Sequence, residues 1–190
     1  MVPWIHEHVT EATVRAMAEE GRPYRGVLYP GLLVTENGPH VLEFNCRFGD
    51  PETQAILPRL KSDLLDILWA VANGRLHDAQ VEWRDEPCVA VVLASGGYPG
   101  NYDTGFPIQG LDELDEDAIV FHAGVRREDD GRLVTSGGRV MAVTALGATL
   151  EEARRKAYAN VERIRFQGMH YRRDIGGRRF RPRPEWLEIP

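Results

Sequence analysis

The sequence is poor in cysteine, has no long apolar run and carries no excess of basic charge. Its two cysteines, Cys46 and Cys88, lack any metal-ligand spacing, so we expect reduced thiols rather than a disulfide or a zinc site. No apolar stretch is long enough to span a membrane, and the first residues lack a signal-peptide pattern, so we predict a cytoplasmic protein without a membrane partner. The net charge of −6 argues against general binding of nucleic acid.

The composition is that of a globular protein. Hydrophobic residues make up 43% of the 190 positions, which suits one domain or two small ones. The segment 75–86 is polar and shows no clear period, so we place a domain boundary there. We therefore predict two domains, residues 1–78 and residues 86–178.

One alternating segment, residues 42–48, carries the most informative side chains. The apolar set, which we predict to be buried, is Leu42, Phe44, Cys46 and Phe48. The other face would align Glu43, Asn45 and Arg47. A carboxylate and an amide oxygen two residues apart suit Mg²⁺, and the arginine can hold a phosphate or a carboxylate. The turn that follows leaves Asp50 and Glu52 near the end of that face. The alternative is a solvated strand face of mixed charge.

Longer motifs resemble a known enzyme family. The run LEFNCRFGDPETQ, with GVLYPGLLVTENGP before it, is similar to the phosphoribosylamine–glycine ligases (glycinamide ribonucleotide synthetases), ATP-grasp enzymes of purine synthesis. Further matches are ASGGYPGNYDTGFPIQGLD, VFHAGV, GGRVMAVTALG, TLEEARRKAY and IRFQGMHYRRDIG. The motifs follow the order of the family and extend over residues 3–176, but they cover only the C-terminal part of that enzyme.

The resemblance implies an α+β fold. The C-terminal portion of an ATP-grasp lobe, with antiparallel strands and helices, would precede a small mixed β/α C-terminal domain. The family's ribosyl-phosphate domain and the lysines that clasp the nucleotide are absent from the matched motifs. We therefore expect a fragment that is inactive alone and needs the missing N-terminal part of the enzyme in cis or in trans.

The resemblance also implies an activity and its residues. The family ligates glycine to 5-phosphoribosylamine with ATP, through glycyl phosphate, and forms glycinamide ribonucleotide on the route to IMP. Glu43 and Asn45 would bind Mg²⁺ or Mn²⁺ that bridges the ATP phosphates. Arg47 would be catalytic and grip the transferred phosphate or the glycine carboxylate. Asp50 and Glu52 would hold the amine substrate.

One departure and two alternatives accompany this interpretation. ATP-grasp enzymes commonly carry another acid before the Glu-x-Asn pair; that position falls near Gly31, where the chain has none. The chain could instead be a docking or assembly module that has lost catalysis, which the presence of an N-terminal companion would distinguish. Another ATP-grasp ligase, such as a carboxylase subunit, is disfavoured by the CRFGDPE wording after Glu-x-Asn.

Hydrophobic periodicity, together with residues that typically begin or end helices and strands, predicts the remaining elements. An amphipathic helix over residues 3–20 is expected to end at Gly21, and residues 24–35 and 41–48 are expected to pair as a hairpin. The apolar stripe of that helix comprises Ile5, Val9, Thr13 and Met17. Further helices are predicted over residues 53–60, 64–72 and 149–165, and further strands over residues 88–94, 119–125, 133–136 and 139–146. Packing positions in the helix 64–72 are Leu64, Leu65, Leu68, Trp69 and Val71.

Weaker signals favour structural roles. The loop Ser95-Gly-Gly-Tyr-Pro-Gly100 is predicted to be a turn rather than a phosphate cradle, because it has neither Gly-x-Gly-x-x-Gly nor a Walker lysine. Isolated histidines are expected at surface or packing positions. The basic tail, residues 169–173 with Arg178 and Arg179, is predicted to be a docked or frayed terminus rather than an anion site.

Overall fold

The computed structural model describes residues 1–177, which divide into two compact units. Unit 1 comprises Met1–Gly49 and Ser62–Glu82, and unit 2 comprises Asp50–Lys61 and residues 83–177. The units are therefore not separated by a single cut in the chain, and the sequence-based limits 1–78 and 86–178 stay a prediction. All strand pairs are antiparallel and helices accompany them, which confirms the mixed α and β class. No helix within residues 1–177 is both long and apolar enough to cross a bilayer.

Unit 1 begins with the predicted amphipathic helix, which has a π-helical interruption. It consists of α1 (Val2–Ile5), a π-helical segment (His6–Glu11) and α2 (Ala12–Glu19). Val9 is buried, and the other members of the predicted stripe are half-buried, so the periodicity identified the correct face. Gly21 follows with φ of +75°, a conformation that favours glycine and ends the helix.

The predicted hairpin follows, with limits that differ from the prediction. Strand β1 (Tyr29–Thr35) pairs antiparallel with β2 (Gly38–Asn45), and Gly31 lies directly opposite Glu43. The strand predicted over residues 41–48 therefore begins earlier and ends three residues sooner. Residues 46 and 47 form a bend after β2.

The apolar face of this hairpin is exposed, so the prediction that it is buried was wrong. Leu42 is 67% exposed and Phe44 is 44% exposed. Cys46 is also exposed, and Phe48 is half-buried. Alternation determines which side chains share a face of a strand, but it does not determine whether another layer covers that face. A two-stranded ribbon buries little by itself.

The second helix of unit 1, α4 (Leu64–Ala72), also exposes apolar residues that were predicted to pack. Asp63 caps it, since Oδ1 accepts from the amide of Leu65 over 2.7 Å. Leu65 is 72% exposed and Trp69 is 65% exposed, so the packing roles predicted for them were wrong. Leu68 is exposed as well, whereas Leu64 and Val71 are half-buried. A short 3₁₀ turn, Leu76–Asp78, follows.

Unit 2 is built on a three-stranded sheet in the order β3-β7-β4. Its strands are β3 (Cys88–Ala94), β4 (Ile119–His122) and β7 (Arg139–Leu146), and a separate hairpin joins β5 (Val125–Arg127) to β6 (Leu133–Thr135). The strands predicted over 88–94 and 139–146 are confirmed in full. The strand predicted over 119–125 ends at His122, which is exposed.

Helices of unit 2 contact the sheet. Helix α3 (Thr53–Ile56) runs into a 3₁₀ turn (Leu57–Arg59), another 3₁₀ turn spans Leu111–Glu113, and α5 covers Leu150–Val161. Helix α5 ends four residues before the predicted limit. Thr149 caps the helix, because its Oγ1 accepts from the amide of Glu152 over 3.1 Å.

The hydrophobic core lies in unit 2, where β7 is buried on both faces. Leu93 of β3, Val143 of β7 and Ala157 of α5 are each fully buried. The buried cluster consists of Val89, Val91, Leu93, Val140, Met141, Val143, Ala145, Ala153, Ala157, Val161, Ile164 and Phe166. This packing makes unit 2 a rigid support for the side chains at the ends of its strands.

Candidate functional site

Glu43 and Asn45 lie two residues apart on β2 and contact each other. Nδ2 of Asn45 donates to Oε1 of Glu43 over 3.0 Å, because alternation along a strand brings both side chains to one face. Glu43 is exposed and Asn45 is half-buried. The two oxygen-bearing groups predicted to bind a metal are therefore adjacent and accessible.

Gly31 provides the space beside Glu43. A Cβ atom at residue 31 would lie 3.1 Å from Cγ of Glu43, which is closer than most Cβ contacts, and 3.8 Å from its Oε1. The position near which ATP-grasp enzymes commonly carry an additional acid is thus filled by a residue without a side chain. Gly31 thereby leaves space beside the pair Glu43 and Asn45. The chain has no third acid at this position.

This donor set fits a magnesium ion that is shared with a phosphate. Mg²⁺ commonly takes one or two protein oxygen ligands and completes its shell with substrate phosphates and water. Across residues 1–177, no group of three or more His, Cys, Asp or Glu is arranged to hold a metal by itself. Glu43 and Asn45 therefore fit a metal that arrives with a nucleotide better than a permanently enclosed ion.

Arg47 lies beyond the end of β2. Its Nη1 donates to the main-chain oxygen of Phe48 over 2.8 Å, and the residue is exposed. The prediction that Glu43, Asn45 and Arg47 are aligned along one strand is therefore correct for the first two residues only. The role predicted for Arg47 stays a prediction.

Asp50 is held by several groups of unit 2. Nη1 of Arg139 donates to its main-chain oxygen and lies 3.5 Å from its carboxylate Oδ2. Nε2 of Gln54 donates to the other carboxylate oxygen over 2.9 Å. The guanidinium of Arg139 also donates from Nε to the hydroxyl of Tyr98 over 3.1 Å. Asp50 is thus a fixed carboxylate at the beginning of α3, with one side exposed.

Glu52 lies at the N-cap of α3 and contributes to the charge around Arg139. Its main-chain oxygen accepts from the amides of Ala55 and Ile56. The hydrogen bond to Tyr98 raises the pKa of the Arg139 guanidinium, and the carboxylates of Asp50 and Glu52 add to that shift. The arginine is therefore a permanent cation among two acids and a phenol.

The glycine-rich loop after β3 supports this cluster as a turn, in agreement with the prediction. The amide of Ser95 donates to the oxygen of Gly138 and its hydroxyl donates to that of Gly137, each over 2.8 Å. A Cβ atom at Gly138 would collide with the ring of Tyr98. The loop thereby fixes Tyr98 beside Arg139.

Sequence reasoning missed Arg139 and Tyr98 as members of this cluster. A usable signal was present, since Arg139 is the one charged residue in strand β7. A charged side chain at the first position of a buried strand commonly has a specific partner. That partner comes from a distant part of the sequence, which no local pattern reveals. Arg178 and Arg179 of the basic tail, which is predicted to be a docked or frayed terminus, lie outside the described residues.

Two profiles of one family match the chain. The profile described as "Phosphoribosylglycinamide synthetase, ATP-grasp (A) domain" matches residues 1–53, and the one described as "Phosphoribosylglycinamide synthetase, C domain" matches residues 88–178. The first match includes the Glu43 and Asn45 pair, and the second includes Tyr98 and Arg139.

Curated relatives share about half of the aligned residues. The phosphoribosylamine–glycine ligase of Caldanaerobacter subterraneus subsp. tengcongensis is 53% identical over 171 residues, which are 90% of this chain and 40% of the relative. The ligase of Salmonella typhimurium is 51% identical over 175 residues, with 90% and 41% covered. The chain thus spans about two fifths of the length of these relatives.

Solved structures give the same fold. The phosphoribosylamine–glycine ligase of Thermotoga maritima matches with a TM-score of 0.77 and 40% identity, over 88% of this chain and 41% of that one. A single-chain, multi-domain long-chain acyl-CoA carboxylase matches with a TM-score of 0.58 and 18% identity, over 88% of this chain and 18% of that one. The second likeness concerns the fold alone.

Proposed function

Since the chain belongs to the phosphoribosylamine–glycine ligase family, we propose that it supplies the C-terminal part of an enzyme that joins glycine to 5-phosphoribosylamine. ATP phosphorylates the glycine carboxylate and leaves as ADP. The amine then attacks the resulting glycyl phosphate, which releases phosphate and forms the amide of glycinamide ribonucleotide. This two-step route activates a carboxylate that would not form an amide in water by itself.

The observation that carries the proposal is the Glu43 and Asn45 pair on β2, within the part matched by the ATP-grasp profile. These residues would hold Mg²⁺ or Mn²⁺ together with the ATP phosphates. The ion supplies positive charge that neutralises the phosphate oxygens. No covalent nucleophile is needed from the protein, because phosphoryl transfer depends chiefly on positioning and on charge stabilisation.

The remaining predicted site residues act on the substrates. Arg47 is exposed and carries a planar set of donors that suits the transferred phosphate or the glycine carboxylate. Asp50 presents a fixed carboxylate that can accept from a primary amine, and Glu52 adds a negative charge in the same turn. We assign these two acids to 5-phosphoribosylamine.

The surface of unit 1 supports the need for a companion segment. Val9 is the one buried hydrophobic residue within Met1–Gly49 and Ser62–Glu82. The exposed large hydrophobic residues of unit 1 are Val2, Val14, Leu33, Val41, Leu42, Phe44, Leu65, Leu68, Trp69, Leu76 and Val81. An open groove of about 550 Å³ lies beside α2 and is lined in part by Val14, Ala18 and Leu28. The described part of unit 1 therefore buries little apolar surface of its own.

The occupant that we propose for this surface is the part of the enzyme that the chain does not match. The curated relatives are more than twice as long as the matched region. The companion could be joined to the chain or separate. A non-catalytic docking module is the second candidate function, since it would use the same apolar surface without needing the Glu43 and Asn45 pair.

A chimaeric enzyme tests the proposal. Residues 1–177 replace the matching C-terminal part of the Caldanaerobacter ligase, and release of ADP is measured with glycine and 5-phosphoribosylamine present or omitted. We expect ADP release that requires both substrates, whereas the isolated chain releases none. A chimaera that folds but releases no ADP would favour the docking module. Turnover by the isolated chain would refute the need for a companion.

A separate association experiment tests the apolar surface of unit 1. Trp69→Ser and Leu65→Ser on α4 should weaken association between the chain and a separately produced N-terminal part of the same ligase. Leu150→Ser, an exposed leucine of unit 2, is the matched substitution that should leave association unchanged. Equal association of all three variants with that part would contradict the proposed surface.

A further inference from the structure

Arg139 connects the first residue of β7 to the turn that carries Asp50. Its Nη1 donates to the main-chain oxygen of Asp50 and lies 3.5 Å from the carboxylate, while its Nε donates to Tyr98. We propose that Arg139 is a positioning residue, which fixes residues 50–52 so that Asp50 keeps the orientation in which it binds the amine substrate. This assignment rests on the proposed function.

The guanidinium is suited to this task by its shape. It presents several N–H donors in a rigid plane, so one side chain can bond two partners in different directions. A main-chain oxygen, a carboxylate and a phenol hydroxyl surround it, and each of them can accept. A lysine at residue 139 would keep the charge but would replace the planar set of donors by a single ammonium group.

The arginine is itself held by Tyr98. Tyr98 packs against the backbone of Gly138, and its ring meets that of Tyr102 at a centroid distance of 6.1 Å. The loop that carries Tyr98 is bonded to residues 137 and 138 through Ser95. The position of Asp50 is thereby determined from the buried sheet of unit 2, through Arg139. A binding group held by such a supporting layer loses little entropy when it meets its ligand.

Packing alone does not explain the contact between Arg139 and Asp50. The side chain of Arg139 is 38% exposed and that of Asp50 is 51% exposed, so neither contributes to the buried cluster. An exposed ion pair by itself adds little to stability. What the contact changes is the orientation of the turn, since it involves the main-chain oxygen as well as the carboxylate.

Hydrogen exchange of the isolated chain tests the fixing of the turn. In Arg139→Gln, the amides of Ala55 and Ile56, which bond to the oxygen of Glu52, should exchange about tenfold faster, as expected for loss of a charged hydrogen bond. Amides of β3 should be unchanged. Tyr98→Phe, which removes one hydroxyl, should give a smaller acceleration. Unchanged exchange in Arg139→Gln would overturn the proposal.

Kinetics of the chimaera test the consequence for the substrate. Arg139→Gln should raise the KM for 5-phosphoribosylamine about tenfold while the KM for ATP stays the same. Arg139→Lys should restore part of the loss. The control is Arg126→Gln, which breaks an exposed pair with Glu128 in the same unit and should leave every constant unchanged.

The outcomes separate the two proposals. An unaltered KM for the amine in Arg139→Gln, with a lower melting temperature, would reduce Arg139 to a structural residue. An inactive chimaera with the unchanged chain would refute the proposed function instead, and the exchange rates of Ala55 and Ile56 would still decide whether Arg139 fixes the turn.

Discussion

Asn45 donates its side-chain amide to Oε1 of Glu43 over 3.0 Å, so the two residues that we propose as metal ligands are in direct contact. Both side chains lie on one face of β2, where Glu43 is exposed and Asn45 is half-buried. A metal would replace this hydrogen bond, and the amide of Asn45 would turn its oxygen toward the ion.

Replacement of Glu43 by Gln should therefore weaken metal use. In the chimaera, Glu43→Gln should raise the Mg²⁺ concentration for half-maximal ADP release by at least about tenfold, a loss that even outer-sphere partners of metal ligands cause. Glu19→Gln on the exposed end of α2 is the control. An unaltered Mg²⁺ dependence would remove Glu43 from the metal site.

Gly31→Ala should separate activity from stability. The added methyl group would lie 3.1 Å from Cγ of Glu43 and displace that side chain by a few tenths of an ångström. The backbone should tolerate alanine, because the φ of Gly31 is not in the left-handed region. Alanine also lowers the conformational entropy of the unfolded chain, which favours the folded state. We expect an unchanged or slightly higher melting temperature and a higher Mg²⁺ requirement. A lower melting temperature with normal Mg²⁺ use would contradict this account.

Asn160 should be important for the stability of unit 2. It is buried, its Oδ1 accepts from the amide of Asp115 over 2.8 Å, and its Nδ2 donates to Lys156 O over 2.9 Å. Asn160→Leu leaves the amide of Asp115 without this partner and should lower the free energy of unfolding by about 1–3 kcal/mol in urea titrations. Asn101→Leu at an exposed loop is the control, and an equal effect of both substitutions would argue against the network.

The carboxylate of Asp115 should make stability depend on acid pH. Hydrogen bonds from Arg163 and then Asn160 hold its pKa below the usual range. Because the folded state has the lower pKa, ionised Asp115 stabilises the fold above the unfolded-state pKa, and this contribution is lost as the pH falls through the folded-state pKa.

The measurement compares the unchanged chain with Asp115→Asn. Their difference in free energy of unfolding should be constant between pH 7 and about pH 5 and should shrink below about pH 4. Asp129→Asn, at an exposed turn, serves as the control. A difference that does not vary with pH would show that the ionised form of Asp115 is not what stabilises unit 2.

The two thiols should react at different rates. Burial raises the pKa of Cys88 to about 11, so very little thiolate is present at pH 8. Cys46 is exposed. Iodoacetamide should modify Cys46 first, with Cys88 modified mainly after unfolding, as followed by peptide mass spectrometry. Equal rates in the folded chain would contradict the burial of Cys88.

The strands and helices of unit 2 were largely predictable because their patterns are local. Cys88–Ala94 was predicted with correct limits from a continuous apolar run, and Arg139–Leu146 from the bend at Gly137 and Gly138 that precedes it. Thr149 marked the beginning of α5 through its side chain. Such signals depend on neighbours in sequence, which the chain shows directly.

Burial in unit 1 could not be predicted in the same way. Leu42, Phe44, Leu65 and Trp69 have the spacing of core residues, and the structure exposes them. Spacing identifies a face, whereas burial depends on a second surface that spacing does not report. The same limit applied to Arg139, because its contact with Asp50 joins residues that are 89 positions apart.

Residues 50–61 have a practical consequence for anyone who shortens this chain. Helix α3 contacts β3 and β7, and Arg59 donates to the main-chain oxygens of Arg84 and Glu86. A recombinant C-terminal domain that starts at residue 86 would lack residues 50–61 and would lose these contacts with β3 and β7. Expression designs for this domain should therefore include residues 50–61, either at their natural place in the chain or joined to the domain through a short linker.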